Sequence, residues 1–151
     1  MNAHDVIALL RLEPLPVEGG YFKELYRDLC TTIYYLITPD NFSAFHKLTN
    51  DEIYHFYLGD PAEQFTISPE GHLRRTIVGA NLLDSHRPVA IVPREYWQAT
   101  RLLPGGKFAL LGCTVSPAFQ FENCEHAVRE KLASDFSDHW QLISELTRPG
   151  K

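Results

Sequence analysis

The feature that most constrains the fold is a pair of short apolar strands around one polar turn, between residues 42 and 59. Alternation along the first strand places four residues on one face: Phe42, Ala44, His46 and Leu48. A Thr-Asn-Asp turn follows, and Glu52 begins a second strand rich in Ile, Tyr and Phe, which favour extended structure. A hairpin of this kind brings His46 and Glu52 together inside a barrel.

Size and charge narrow the class of protein. With 151 residues, of which 44% are hydrophobic, the chain is predicted to form a single domain over residues 1–151. The net charge is -5 and no basic run occurs, so we predict no nucleic-acid partner. No segment approaches the roughly 20 apolar residues of a membrane span, and the first residues lack the basic start of a signal peptide. Three cysteines without a paired framework predict a cytoplasmic protein with reduced thiols.

Turn residues recur at intervals of about 8–12 residues through the middle of the chain, which predicts an antiparallel sandwich or barrel. The predicted strands are 21–27, 31–38, 42–48, 52–58, 63–68, 72–78, 89–92, 97–103 and 107–115. A helix is predicted before them at residues 3–11, where Asn2 and Asp5 resemble a helix start. After them, the apolar spacing from Glu125 to Leu146 predicts one or two helices. The fold class is therefore mainly β.

Three parts of the sequence are candidates for a site. His46 and Glu52 suit a divalent metal or acid–base chemistry, and they also suit a buried pair that serves packing alone. The Glu18-Gly19-Gly20 segment permits positive φ, so Glu18 either points into the barrel mouth or belongs to a plain turn. Tyr35 and Trp97 line either a ligand pocket or the core.

Two motifs carry a resemblance to a known family. Glu52 and, seven positions later, Gly59 resemble the second half of the first cupin motif, with His46 at its first histidine. Residues 92–98 resemble the second motif. With segments 17–22, 45–48 and 112–119, the chain resembles the Cupin 5 family, formerly DUF985, over roughly residues 5–125. The resemblance implies a cupin double-stranded β-helix, a jelly-roll barrel of the RmlC-like superfamily, which is usually a homodimer with no established common reaction.

The chain departs from a metal-binding cupin at two positions. Leu48 stands where the first motif has its second histidine, and Gln98 stands where the second motif has its histidine. A metal cupin offers three histidines and a glutamate, whereas this chain keeps His46, Glu52 and a weakly donating amide. We therefore expect no cofactor and at most a weakly bound divalent metal, for which the alternative ligand set is His46, Glu52 and Gln98.

These observations predict a small-molecule-binding cupin with isomerase- or epimerase-like chemistry on a sugar or sugar-nucleotide. His46 and Glu52 are the predicted catalytic pair, and the predicted ligand-binding residues are Glu18, Tyr35, Trp97 and Gln98. Two alternatives remain open: a divalent-metal-dependent cupin enzyme, and a non-catalytic ligand-binding or sensing module. A homodimer is predicted because the strands at 21–27 and 31–38 carry aromatic residues on both faces, and exposed strand edges invite pairing.

Overall fold

The computed structural model describes residues 1–149 as two antiparallel sheets that face each other, with one helix before them and two short helices after them. The elements are α1 (Ala3–Leu10), β1 (Glu13–Pro14), β2 (Tyr21–Arg27), β3 (Thr31–Ile37), β4 (Ser43–Leu48), β5 (Asp51–Gly59), β6 (Ala62–Ile67), β7 (Leu73–Val78), β8 (Val89–Val92), β9 (Trp97–Leu102), β10 (Ala109–Ser116), β11 (Cys124–His126), α2 (Arg129–Asp135) and α3 (Trp140–Glu145). No helix within the described residues is long and apolar enough to cross a membrane.

The predicted mainly β fold class is confirmed, and all nine predicted strands are present with ends that differ by no more than two residues. Helix α1 begins where expected, because the side chain of Asn2 accepts from the Asp5 N–H and the Asp5 carboxylate accepts from the Asn2 N–H. This reciprocal cap stabilises a helix start by about 1 kcal/mol.

Two short strands were not predicted. One is β1, which pairs with the start of β2. The other is β11, which lies in the segment expected to be helical and pairs with β4 instead. The open edge of β4 offers backbone hydrogen bonds to this segment, so the helix begins only at Arg129.

Sheet order determines where a cavity can form. The six-stranded sheet runs β1-β2-β3-β10-β5-β8, and the five-stranded sheet runs β11-β4-β9-β6-β7. One apolar core lies between the sheets, with Tyr35 and Tyr54 from the first sheet and Leu102 from the second. A second core lies on the outer face of the five-stranded sheet, where Phe45 and Trp97 pack against residues of α2 and α3.

A β-bulge in β4 changes which side chains face the cavity. Ser43 is opposite Thr100 and His46 is opposite Gln98, so three steps along β4 match two along β9. The extra residue places Ser43 and His46 on the same face, and both contact Glu18. The predicted alternation was therefore wrong at the start of this strand. Phe42, expected beside His46, packs instead in the outer core with Phe45.

Candidate functional site

A cavity of about 270 Å³ lies between the two sheets. Its walls are mainly apolar and are formed by Leu15, Phe22, Ile33, Leu48, Val115 and Phe119. Polar groups gather at one end: Tyr35, His46, Glu52 and Cys113, which are buried, and Glu18, which is half-buried. Apolar walls with a few convergent polar groups are typical of a small-molecule site.

The loop before β2 turns Glu18 into this cavity. Gly19 and Gly20 both have positive φ, at 100° and 76°. A Cβ on Gly20 would lie 2.6 Å from the ring of Tyr35, so only glycine lets the loop approach that ring. The hydroxyl of Tyr35 donates to the carbonyl oxygen of Gly19 at 2.6 Å and lies 3.0 Å from Glu18 Oε1. Of the two alternatives for this segment, the structure has Glu18 directed into the barrel.

One carboxylate oxygen of Glu18 lies close to three side chains. Glu18 Oε1 lies 3.0 Å from Tyr35 Oη, accepts from Ser43 Oγ at 2.9 Å, and lies 3.5 Å from His46 Nε2. His46 Nδ1 lies 2.8 Å from the carbonyl oxygen of Ala44. A carbonyl oxygen only accepts, so Nδ1 carries a proton and the neutral ring keeps its lone pair on Nε2. The carboxylate of Glu18 faces this lone pair, and it stabilises the positive charge that forms when Nε2 takes up a proton.

Glu52 is the second acid–base group. Its side chain is buried, and Gln98 Nε2 donates to Glu52 Oε2 at 2.8 Å. The amide oxygen of Gln98 in turn accepts from the Tyr54 hydroxyl at 3.2 Å. Burial raises the pKa of Glu52 from 4.5 to about 7; His46 opposes this rise and the charge of Glu18 adds to it. A carboxyl group with this pKa both gives and takes protons at neutral pH.

The structure brings most of the predicted site residues together. His46, Glu52, Glu18 and Tyr35 all line the cavity, and Gln98 contacts Glu52. Trp97 does not lie there. It is on the other face of β9, in the core under α2 and α3, with Lys47 Nζ 5.0 Å from its ring centroid. Adjacent strand residues point to opposite faces, so Trp97 and Gln98 cannot both face the cavity.

Three residues near the site were not among the candidates. Ser43 was hidden by the bulge in β4, which no local pattern reveals. Tyr54 follows Glu52 by two positions, so strand alternation places it on the same face. Cys113 pairs with Tyr54 across the sheet, and burial, with the charges of Glu52 and Glu18, raises the pKa of its thiol well above the usual range. Cys113 is therefore a neutral hydrogen-bonding group in the cavity wall.

The donor atoms present do not fit the metal centre of a cupin. Across residues 1–149, no three His, Cys, Asp or Glu side chains are arranged to hold a metal ion. Leu48 offers no donor atom. Both polar atoms of the Gln98 amide are already engaged, with Tyr54 and with Glu52. The alternative set of His46, Glu52 and Gln98 therefore lacks a free third ligand.

Two facing antiparallel sheets around a cavity, with His46 and Glu52 at its polar end, define a cupin barrel. The family model Cupin_5, described as "Cupin superfamily (DUF985)", matches residues 4–127, and the chain belongs to this family. A protein from Shewanella oneidensis with an X-ray structure is 34% identical, with a TM-score of 0.94 over 99% of each chain. A hypothetical protein from Leishmania major is 27% identical, with a TM-score of 0.93 over 97% of this chain and 99% of that chain.

Two further matches cover a smaller share of the matched protein. An uncharacterized protein of Saccharomyces cerevisiae is 29% identical in an alignment of 133 residues that covers 70% of this chain and 66% of the yeast protein. The chain thus matches just under two thirds of that relative's length. Oxalate decarboxylase from Bacillus subtilis is 15% identical, with a TM-score of 0.62 over 93% of this chain and 38% of that chain. This last likeness shows the shared fold alone.

Proposed function

We propose that this cupin binds a small carbonyl compound of sugar size and moves a proton on it, as an isomerase or epimerase does. The observation that carries the proposal is the presence of two acid–base groups at the polar end of one cavity. These are Glu52, with a pKa of about 7, and the imidazole of His46, whose Nε2 faces the carboxylate of Glu18. A carbon-bound proton is acidic enough to transfer when it is next to a carbonyl group, so the substrate carries one.

The proposed chemistry assigns a role to each group. His46 Nε2 takes the proton from the carbon, because Nδ1 is held by the carbonyl oxygen of Ala44. Protonated Glu52 donates to the substrate carbonyl oxygen as the enol forms, and Glu18 stabilises the charged imidazole. For an isomer, His46 returns the proton to the former carbonyl carbon while the Glu52 carboxylate takes the proton of the neighbouring hydroxyl group. For an epimer, a solvent proton adds to the opposite face of the original carbon, His46 releases its proton to solvent, and Glu52 takes back the proton of the enol.

The size of the cavity favours a particular substrate class. At about 30 Å³ for each water, 270 Å³ corresponds to roughly nine waters, which suits a monosaccharide better than a whole sugar-nucleotide. The apolar walls pack against C–H groups, and the carboxyl groups accept from hydroxyls. A nucleotide group on such a sugar would extend past Arg27 and Phe121, which are exposed residues of the lining.

Exchange of a carbon-bound proton of the substrate for deuterium tests the proposal. The protein is incubated in D2O with aldohexoses, ketohexoses and a nucleotide-linked 4-keto sugar, and loss of the proton next to the carbonyl is followed by ¹H NMR. We expect exchange with at least one compound and a 10²–10⁴-fold slower rate in Glu52→Gln and His46→Gln. Glu63→Gln is the matched control, because Glu63 is also buried but pairs with Arg75 and Arg101 away from the cavity.

The same compounds distinguish the non-catalytic alternative. Binding in the cavity without any exchange, detected as changes in the ring resonances of His46, would contradict the enzyme proposal. That result would support a ligand-binding or sensing module.

Metal content is a separate prediction. Protein purified without added metal should contain well under one equivalent of zinc, iron, nickel or manganese per chain, because His46 and Glu52 lack the remaining imidazoles. Elemental analysis by mass spectrometry measures this. Leu48→His with Gln98→His is the matched variant, which should gain metal. Near one equivalent in the natural sequence, lost in His46→Ala, would favour the metalloenzyme alternative.

We also propose a homodimer in the cytoplasm, with the outer face of the six-stranded sheet as the interface. The family resemblance supports a dimer, and exposed apolar side chains on β5 and β8 support this face, among them Tyr57, Val89 and Ile91. Sedimentation at micromolar concentration should give a dimer mass, and Ile91→Glu should give a monomer. Leu83→Glu, at an almost fully exposed position outside the sheets, should leave the mass unchanged. A monomer in the natural sequence would contradict the proposal.

A further inference from the structure

An arginine near the end of the chain contacts the loop that carries Glu18. Arg148 follows α3 and lies beyond residues 4–127, the segment matched to the family. Its Nη1 lies 2.7 Å from the carbonyl oxygen of Glu18 and 3.3 Å from that of Val17. Its Nη2 donates to the carbonyl oxygen of Phe42 at 2.9 Å and lies 3.3 Å from Asn41 Oδ1.

These contacts join three separate parts of the chain. The guanidinium links the tail, the Glu18 loop and the residues before β4, and it lies 4.3 Å from the ring centroid of Phe42. A planar fork of donors suits several fixed oxygens at once, which a single ammonium group cannot match. A side chain on Gly19 would collide with the carbonyl oxygen of Phe42 and with Arg148 Nη2, so this glycine lets the loop approach both. Further hydrogen bonds join the Ala44 N–H to the Glu18 carbonyl oxygen and the Gly20 N–H to Asn41 Oδ1.

We infer that Arg148 is a positioning residue that holds the backbone of Glu18 so that its carboxylate meets His46. Arg148 is not part of the cavity lining and acts through the loop. Glu18 Oε1 contacts Tyr35, Ser43 and His46 together, and this requires its backbone to stay in one place relative to β4. The consequence for catalysis rests on the proposed function, whereas the effect on the Glu18–His46 pair does not.

A second arginine offers a matched control. Arg129 donates from Nε to Thr147 Oγ1 at 2.8 Å and from Nη2 to the Thr147 carbonyl oxygen. It therefore anchors the same tail, one residue before Arg148, but has no hydrogen bond to the Glu18 loop. A purely structural role for the tail predicts equal effects from the two arginines, whereas a positioning role predicts an effect from Arg148 alone.

The test reads the imidazole of His46 directly. The ¹⁵N resonance of His46 Nε2 is recorded in ¹⁵N-labelled wild type, Arg148→Met, Arg148→Lys, Arg129→Met and Glu18→Gln, all at one pH. We expect Arg148→Met to move the resonance at least halfway to its position in Glu18→Gln. Arg148→Lys should move it less, and Arg129→Met should leave it in place. If Arg148→Met does not fold, the change in the Nε2 resonance is compared between Arg148→Lys and Arg129→Met instead.

Two outcomes would overturn the inference: an Nε2 resonance unchanged in Arg148→Met, or an equal change in Arg129→Met. Deuterium exchange of the sugar proton next to the carbonyl group separates this inference from the proposed function. If the wild type catalyses exchange, Arg148→Met should slow it roughly 10–100-fold. A moved resonance in a protein without any exchange activity refutes the proposed reaction and leaves the positioning role intact.

Discussion

Replacing Glu52 with glutamine should slow proton transfer in the cavity by about 10²–10⁴-fold and, at pH 8, raise the free energy of unfolding by about 3 kcal/mol. The second effect follows from burial, which raises the pKa of this carboxyl group from 4.5 to about 7 in the folded protein. Glutamine is neutral at every pH and its amide oxygen can still accept from Gln98 Nε2. The variant therefore keeps the shape of the site and loses the buried charge.

The direction in which stability changes with pH follows from proton linkage. Below about pH 4.5 the group is protonated in both the folded and unfolded states, and the stability conferred by its raised pKa is fully present. Between about pH 4.5 and 7 the folded protein keeps the proton while the unfolded chain releases it, so stability falls as pH rises. Above about pH 7 this contribution is lost.

Urea unfolding from pH 5 to pH 8 measures the effect as the difference between wild type and Glu52→Gln. That difference should grow with pH by up to about 3 kcal/mol. Glu63→Gln is again the control and should show no such growth, because Glu63 is paired with two arginines. A difference that stays constant across this range would contradict the raised pKa of Glu52.

Gly20→Ala should destabilise the protein by about 2–5 kcal/mol. The residue has a φ of 76°, which alanine adopts only with strain, and its new Cβ would lie 2.6 Å from the ring of Tyr35. Tyr35 is fully buried and bonded to the same loop, so it cannot move aside without releasing Glu18.

Gly105→Ala separates the effect of backbone strain from that of steric contact with Tyr35. Gly105 also has a positive φ, of 87°, but a Cβ there would meet nothing within 4 Å. We expect this control to cost about 1 kcal/mol from backbone strain alone, when both variants are compared by urea unfolding. Equal losses in the two variants would show that contact with Tyr35 adds nothing.

Much of the fold could be predicted because its signals are local. The strands alternate and are separated by turn residues, and the cap formed by Asn2 and Asp5 lies within one helical turn. The placement of His46 and Glu52 in one cavity followed from the motif resemblance. The prediction that Trp97 lines the cavity together with Gln98 was wrong, and strand alternation already places these adjacent residues on opposite faces.

Strand β11 and the bulge in β4 could not be predicted from local sequence signals. Both depend on which strand lies beside β4. An edge strand binds whatever backbone the rest of the fold brings to it, and a bulge is defined only against its partner.

The sequence by itself determined the positions of nine strands along the chain, the cupin motifs, and the presence of Leu48 and Gln98 where metal-binding cupins have histidines. Only the tertiary structure decided how the remaining groups behave. The pKa of Glu52 depends on its burial, and the basic role proposed for His46 depends on the contact between its ring and Glu18. Arg148 reaches the Glu18 carbonyl oxygen across 130 positions of sequence. Burial and contacts at such separations arise only when the sheets close around the cavity, so no local pattern records them.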